Sequence, residues 1–234
     1  EALGASQFAS ISLTKCYLGP QAMSLLAAAT PKMASVVTIN CLANNFGEDG
    51  LSTLLAAIKG TSVRSLCGLT EGQTVADFSG QNLGPFDCKI MAAEFAFQGF
   101  IGSLKVIALD EQPISGTTSK YGNGDYNLIG TLDADLSGFK ALCEALSSSQ
   151  METIMLKKCY LGPQAIALLA ATIPQMASIK VVNLSGCGLT GATKTGGWNG
   201  REYVGKEKTT WEKVDSDMTG FIAFCGVLGK LHEI

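Results

Sequence analysis

One octapeptide occurs twice in this chain of 234 residues, and its two copies lie 143 residues apart. Residues 15–22 and 158–165 both read Lys-Cys-Tyr-Leu-Gly-Pro-Gln-Ala. A shorter period of 28 residues relates Ile11 to Ile39 and Ile154 to Val182. Internal repeats with a period of about 20 to 50 residues indicate stacked units in place of one ordinary globular core.

Each unit predicts a short strand, a turn and a helix. The alternating run Ile11-Ser12-Leu13 is typical of a strand with every second residue inward. Gly19-Pro20 and Gly84-Pro85 then mark helix starts, because proline suits the first helical position. One such unit cannot bury both of its faces, but stacked neighbours can.

The repeated pattern LxxLxLxx(N/C)xLGxxGxxxL resembles the ribonuclease-inhibitor class of leucine-rich repeats. The resemblance implies an α/β fold, a solenoid (horseshoe) with parallel strands on the concave face and helices outside. We expect a single domain over residues 1–234 that is truncated at both ends. Its expected repeats span residues 8–35, 36–62, 63–100, 101–147, 151–178 and 179–230.

Three insertions interrupt the repeats, at residues 68–75, 116–135 and 191–217. The first interrupts one strand between Leu66 and Ala76. The other two contain Asn-Gly flanked by aromatic residues, which is a strong hairpin signal, so both predict projecting β-hairpins. Exposed aromatic residues are favoured at binding interfaces, although these could instead pack onto neighbouring repeats. The candidate partner-binding residues of the hairpins are Tyr121, Tyr126, Trp198, Tyr203 and Trp211.

The register also predicts which polar residues lie on the concave strand face. They differ from repeat to repeat, and their charge changes sign along the array, as would suit a protein partner. Polar residues on a solvated strand face are the alternative interpretation. The candidate partner-binding residues of this face are Lys15, Asn40, Asp77, Asp110, Glu111, Lys157, Lys158 and Asn183.

Composition narrows the classes of partner. Only 16% of the residues are charged and the net charge is −3, without a basic run, so we expect no nucleic-acid partner. No stretch of about 20 apolar residues predicts a transmembrane segment. The eight cysteines are spread along the chain without a CxxC pair, which favours free thiols in a reducing, intracellular compartment, cytoplasmic in preference to secreted.

No residue pattern predicts catalysis, a cofactor or a metal site. The chain has one histidine, His232, which leaves no catalytic triad or histidine-based zinc site. The acid pairs Asp133/Asp135 and Asp215/Asp217 fit helix caps better than a cation site.

The expected function is therefore that of a protein–protein interaction scaffold or recognition module, for example an accessory subunit of a larger assembly, and not that of an enzyme. One alternative is a structural array without a specific ligand. The other is a regulator similar to the GTPase activators of this repeat class, for which Arg64 or Arg201 would supply the positive charge.

Overall fold

A computed structural model describes residues 8–96, 100–119, 129–195, 197–198, 203–204 and 210–228. Within them, short strands alternate with helices of ten to twelve residues. The repeat strands are β1 (Ser10–Ser12), β2 (Thr38–Asn40), β3 (Val75–Asp77), β4 (Val106–Ala108), β5 (Thr153–Met155) and β6 (Val181–Asn183). The helices are α1 (Pro20–Ala29), α2 (Gly47–Ile58), α3 (Pro85–Ala96), α4 (Ser137–Ser147), α5 (Pro163–Thr172) and α6 (Thr219–Leu228). Short 3-10 turns cover Thr30–Lys32, Phe100–Ser103 and Ile173–Gln175.

The strands pair in parallel and in sequence order, in the register that the 28-residue period predicts. In one sheet β1 pairs with β2, with Ile11 opposite Ile39. In the other the order is β3-β4-β5-β6, with Ile154 between Ile107 and Val182. The helices pack as neighbours too, α1 on α2 and then α3, α4, α5 and α6 in succession. The fold is therefore α/β, with each helix crossing over between parallel strands.

The hydrophobic core lies between the strands and the helices. The middle residue of each inner strand points inward and is fully covered, as in Ile39, Ile107 and Ile154. On α4 the residues Phe139 and Leu142 repeat at helical spacing and are buried against it. Proline begins α1, α3 and α5 as predicted.

A ladder of side chains joins several of the turns to the turn before them. The Asn44 side chain donates to the carbonyl oxygen of Leu13 at 2.8 Å and accepts from the Leu18 N–H at 3.0 Å. Cys159 takes the same position later in the chain, where its Sγ donates to the Leu109 carbonyl at 2.8 Å. Cys187 repeats this with the carbonyl of Leu156 at 3.2 Å. These bonds satisfy turn carbonyls that would otherwise be buried without a donor.

The first insertion, which was predicted to interrupt a strand between Leu66 and Ala76, separates the two sheets. Residues 64–67 pair back towards β2, where the Ile39 N–H donates to the Ser65 carbonyl at 2.8 Å. Residues 75–77 instead form β3 and pair forward with β4. The strand of this repeat is thus divided into two segments that flank the insertion, one paired with each sheet.

The helices separate at the same place. Between α2 and α3 lies a groove of about 590 Å³, lined on one side by Leu55 and Ile58 and on the other by Ala93 and Ala96.

The later insertions contain antiparallel pairs, as their turn chemistry predicts. In the second, the Thr118 N–H donates to Thr131 at 2.9 Å, and Ser119 bridges to Ile129. In the third, β7 (Thr193–Thr195) pairs with β10 (Thr210–Glu212), and β8 (Gly197–Trp198) pairs with β9 (Tyr203–Val204).

Candidate functional site

The outer side of the four-stranded sheet is a regular surface to which four repeats contribute. We define this strand face by the first and last residue of each strand, since the middle residue points inward. Its members are Val75, Asp77, Val106, Ala108, Thr153, Met155, Val181 and Asn183.

The centre of the strand face is mainly apolar. Val106, Ala108 and Met155 are partly exposed there on adjacent strands. Towards its margins, Val75 on β3 and Val181 on β6 each leave 48% of their surface to solvent. Apolar residues held on a hydrogen-bonded sheet form a surface that needs little reorganisation before it binds.

Ion pairs border the strand face where the strands begin. Glu152 lies between two lysines from the neighbouring repeats, at 3.7 Å from Lys105 and 2.6 Å from Lys180. The hydrogen bond from Lys180 lowers the pKa of the Glu152 carboxyl. All three residues stand immediately before their strands, so the repeat register alone brings them together.

A second group of charges borders the strand face where the strands end. The Lys158 ammonium lies 2.9 Å from the Glu111 carboxylate, and this bond lowers the pKa of Glu111. Asp110 accepts a hydrogen bond from the backbone N–H of Lys157 at 2.8 Å. The structure therefore brings four of the predicted residues together: the side chains of Glu111 and Lys158 form an ion pair, whereas Asp110 bonds to the backbone of Lys157.

Three predicted polar residues hold the turns that follow their strands. The side-chain oxygens of Asn40, Asp77 and Asn183 each accept the N–H two residues further on, at 3.0–3.1 Å. Such Asx turns are local structure. The N–H of Ser79 also lowers the pKa of Asp77.

Asn40 is the last residue of β2 in the smaller sheet, and Lys15 lies in the turn after β1, so both are apart from the strand face. The Lys15 N–H donates to Leu42 at 3.3 Å, and its backbone is left-handed, with φ at 57°. The expectation of one continuous concave row from Lys15 to Asn183 is therefore corrected, because the sheet is interrupted after Cys67.

The aromatic candidates lie in or near the antiparallel pairs. Trp198 stands opposite Tyr203 in the β8–β9 pair, and Trp211 stands opposite Lys194 in the β7–β10 pair. Tyr121 and Tyr126 lie outside the described residues. Whether the hairpin aromatics contact a partner stays a prediction.

Three buried or half-buried carboxylates bind backbone N–H groups; the sequence analysis missed two of them and predicted the other, Asp133, as a helix cap without showing which helix it caps. Asp87 accepts from the N–H groups of Ala43 at 2.6 Å and Gly84 at 2.9 Å, while burial raises its pKa. Asp133 accepts from three N–H groups at the start of α5. Asp133 thus caps α5, the helix of the following repeat. Asp135 instead accepts the N–H of Ser137, at the start of its own helix α4, at 2.9 Å.

Glu94 is the third of these carboxylates and belongs to the break in the sheet. Its Oε2 accepts the N–H groups of Leu66 at 2.6 Å and Cys67 at 3.2 Å, in place of a following strand. Its Oε1 has no hydrogen-bond partner among the described residues, and burial raises its pKa. The only sequence signal was one acid in the apolar stretch of α3.

The described part of the chain gives little support for a metal site, a reactive cysteine or an arginine that acts on a GTPase. No group of three or more His, Cys, Asp or Glu residues there is arranged to hold a metal ion. Burial raises the pKa of the Cys41 and Cys143 thiols to about 12, so neither is an activated nucleophile. Arg64 donates to the carbonyls of Thr61 at 2.7 Å and Val63 at 2.9 Å, while Arg201 lies outside the described residues.

Comparison with models of known protein families gives no match, and no curated protein sequence matches the chain significantly. Among the described residues, no helix combines the length and the apolar character that crossing a bilayer requires.

Proposed function

We propose that this chain is a leucine-rich repeat solenoid of the ribonuclease-inhibitor type that binds a protein partner through its strand face. The curvature of the solenoid is part of what we propose. The sequential parallel pairing and the ladder of turn side chains support it, because both repeat from unit to unit.

One observation carries the functional part of the proposal. The strand face has an apolar centre between two borders of ion pairs, Lys105–Glu152–Lys180 and Glu111–Lys158. An apolar centre with a polar rim is the usual anatomy of a protein interface. Since the rim charges are already paired, the partner is expected to contribute mainly apolar and uncharged polar groups at the centre.

The proposal assigns no catalytic step to this chain. Its carboxylates with raised pKa, Asp87 and Glu94, are both buried and bonded to backbone N–H groups. These hydrogen bonds to the backbone give both carboxylates a structural role.

The test compares two variants of one repeat, with the protein immobilised as bait for its native extract. Met155→Glu places a charge in the apolar centre of the strand face, whereas Ala171→Glu places the same charge on the exposed side of α5. Circular dichroism should show both folded. A specific partner should be recovered at a constant molar ratio to the bait with the parent chain and with Ala171→Glu. It should not be recovered with Met155→Glu.

The opposite results separate the alternatives. Equal retention by all three baits would contradict binding at the strand face. Loss only after Trp198→Ala and Tyr203→Ala would move the site to the third insertion. If the parent chain retains no protein at a constant molar ratio, the better interpretation is a structural repeat array without a specific ligand.

A further inference from the structure

The junction between the two sheets divides the described part of the chain into two blocks. The first block, residues 8–67, contains the two-stranded sheet of β1 and β2 with α1 and α2. The second block, the described residues from 75 to 228, contains the four-stranded sheet with α3 to α6. Successive helices pack on each other within each block, whereas α2 and α3 stand on either side of the groove of about 590 Å³. The junction therefore interrupts the stacking of helices as well as the pairing of strands.

Open space also flanks the junction at both ends of the strands. Where the strands begin, a cleft of about 510 Å³ lies between Ser62 of the first block and Ser103 of the second. Where the strands end, a cleft of about 710 Å³ lies between Asn45 of the first block and Asn82 of the second. Bending at this boundary would therefore displace fewer close-packed side chains than bending within either block.

Two carboxylates of α3 reach from the second block to the backbone of the first. Asp87 accepts the N–H of Ala43 at 2.6 Å, and Glu94 accepts those of Leu66 at 2.6 Å and Cys67 at 3.2 Å. The two acids are seven residues apart in the sequence, so they lie on the same side of the helix, about 10 Å from each other along its axis. Helix α3 thus holds the first block at two separate points.

The start of α3 has further contacts with the first block. The ring of Phe86 meets that of Phe46 edge-on, with 5.0 Å between the ring centroids, and Lys89 forms an ion pair with Glu48 of α2. Near the other end of α3, the hydrogen bonds to the first block come from Glu94. The closure of this end of the junction therefore depends on the state of that carboxyl group.

A negative charge on Glu94 is poorly accommodated in the closed junction. The side chain is buried, and its Oε1 has no hydrogen-bond partner among the described residues. Glu94 lines a small cavity of about 10 Å³, in which the other lining side chains are apolar except for the Cys67 thiol. A water molecule there would have few polar side chains to bond to. Burial raises the pKa of Glu94, and hydrogen bonds from Ser65, Leu66 and Cys67 oppose this only in part.

The titratable groups around Glu94 do not neutralise its charge. The Cys67 and Cys41 thiols belong to the first block, and burial raises the pKa of both, so they are uncharged near neutral pH. Asp87 on the same helix is another acid, and β3 and β4 contribute the apolar Ala76 and Ile107 to the cavity. The cations of the neighbouring elements lie or bond elsewhere: Lys59 and Arg64 line the groove, Lys89 pairs with Glu48, Lys105 with Glu152, and Lys140 with Glu144.

We propose that the junction is a pH-dependent hinge, at which the two blocks separate more readily once Glu94 has lost its proton. A protonated Glu94 is neutral and still accepts a backbone N–H, so it tolerates its apolar surroundings. An ionised Glu94 obtains full hydration of both oxygens only when the junction opens, and this favours the open form.

The direction of the effect follows from proton linkage. Because burial raises the pKa of Glu94, the closed junction binds the proton more tightly than the open junction does. The contribution of Glu94 to closure is complete below its ordinary value of 4.5 and is lost as the pH rises through the raised pKa. Burial raises the pKa of Asp87 too, which acts in the same direction. The strand face lies within the second block, so the hinge is independent of the proposed partner binding.

Amide hydrogen exchange of the full chain, followed residue by residue by NMR between pH 5 and pH 8, tests the proposal. The amides of Leu66 and Cys67 report on the junction. Those of Leu109 and Leu156, which donate within the four-stranded sheet at 2.9 Å, are the internal controls. After correction for the intrinsic exchange rate, the protection of the junction amides should fall about tenfold or more over this range, and that of the controls should not.

The variant Glu94→Gln has a side chain of similar shape that is neutral at every pH. In it the protection of Leu66 and Cys67 should no longer depend on pH. The Ala43 amide should also become better protected at pH 8, although Glu94 does not bond to it, because one opening of the hinge releases both contacts of α3. Glu144→Gln, the same substitution at an exposed position of α4, is the control and should follow the parent chain.

Three results would overturn the proposal. The first is a corrected protection of the junction amides that is constant with pH in the parent chain or falls together with that of Leu109 and Leu156. The second is a Glu94→Gln variant that keeps the pH profile of the parent chain. The third is a change confined to Leu66 and Cys67, with Ala43 unaffected, which would show a local movement of one side chain and no hinge. If Glu94→Gln does not fold, the profile of the parent chain decides alone.

Discussion

The two copies of the octapeptide are identical in sequence but differ in their surroundings. In residues 158–165, Cys159 and Leu161 are fully buried, Gly162 contacts Asp133, and the helix start is capped. In residues 15–22 the equivalent cysteine is exposed and the glycine has open space around it. Identical residues thus have different neighbours within the described part of the chain, which makes the pair an internal control for the contribution of those neighbours to stability.

The largest expected difference is in the leucines of the two copies. Leu161→Ala should lower the free energy of unfolding by about 2–5 kcal/mol, because it leaves a cavity in a fully packed site. Leu18→Ala should cost clearly less, since Leu18 is only partly buried. Urea denaturation of both variants measures this, and equal losses would show that the two copies have the same surroundings in solution.

The next largest difference in stability is expected between substitutions of the equivalent acids Asp133 and Asp215. Asp133→Ala removes the acceptor of three N–H groups of α5 and should cost about 1–3 kcal/mol. Asp215→Ala should leave the unfolding of the dilute protein unchanged, because no described N–H of a following helix bonds to it. Thermal unfolding at low concentration compares them; a similar loss for both would contradict the assigned caps.

Substitution by alanine should change the stability of the protein differently at the equivalent glycines of the two copies. A Cβ on Gly162 would lie 2.6 Å from Asp133 Oδ2 and 2.8 Å from Leu132 Cβ, so Gly162→Ala should cost about 1–3 kcal/mol. Gly19→Ala meets nothing within 4 Å and should change stability by about 0.5 kcal/mol or less. The urea midpoints of the two variants measure this difference. An unchanged midpoint for Gly162→Ala would show that Gly162 does not pack closely against Asp133 and Leu132.

The cysteines should show the smallest effect on stability but the clearest one on reactivity. Cys16 should react with iodoacetamide in the native protein, whereas Cys159 should react only on unfolding. Burial raises the pKa of Cys159 above its ordinary value of 9.0. As the unfolded thiol loses its proton above that value and the native one does not, stability should fall as the pH rises above about 9.

Peptide mass spectrometry follows the alkylation, and urea melts from neutral to alkaline pH follow the stability. In Cys159→Ala the alkaline loss should be smaller than in the parent chain. Rapid native alkylation of Cys159 would contradict its burial.

The sequence predicted the repeating parts of the fold well. The parallel pairing of Ile11 with Ile39 and of Ile154 with Val182, the proline starts of the helices and the antiparallel pairs of the insertions all follow local patterns. The candidate site was predicted only in part. Asp110, Glu111, Lys157 and Lys158 lie together on neighbouring units, with Glu111 and Lys158 in an ion pair and Asp110 bonded to the backbone N–H of Lys157. Whether this group binds a partner stays a prediction.

By itself, then, the sequence determined the period, and the period determined which residues stand opposite each other on neighbouring strands. This is so because inward residues must recur at fixed spacing when stacked units share one core. Only the tertiary structure decided that the sheet ends after Cys67, that Glu94 replaces the missing strand, and that Asp133 caps the next helix in place of its own. The separations, 28 residues between Glu94 and Leu66 and 29 between Asp133 and Gly162, are close to one period. The period does not show which side chain leaves its own unit, however, and only the packed geometry decides which N–H groups each carboxylate satisfies.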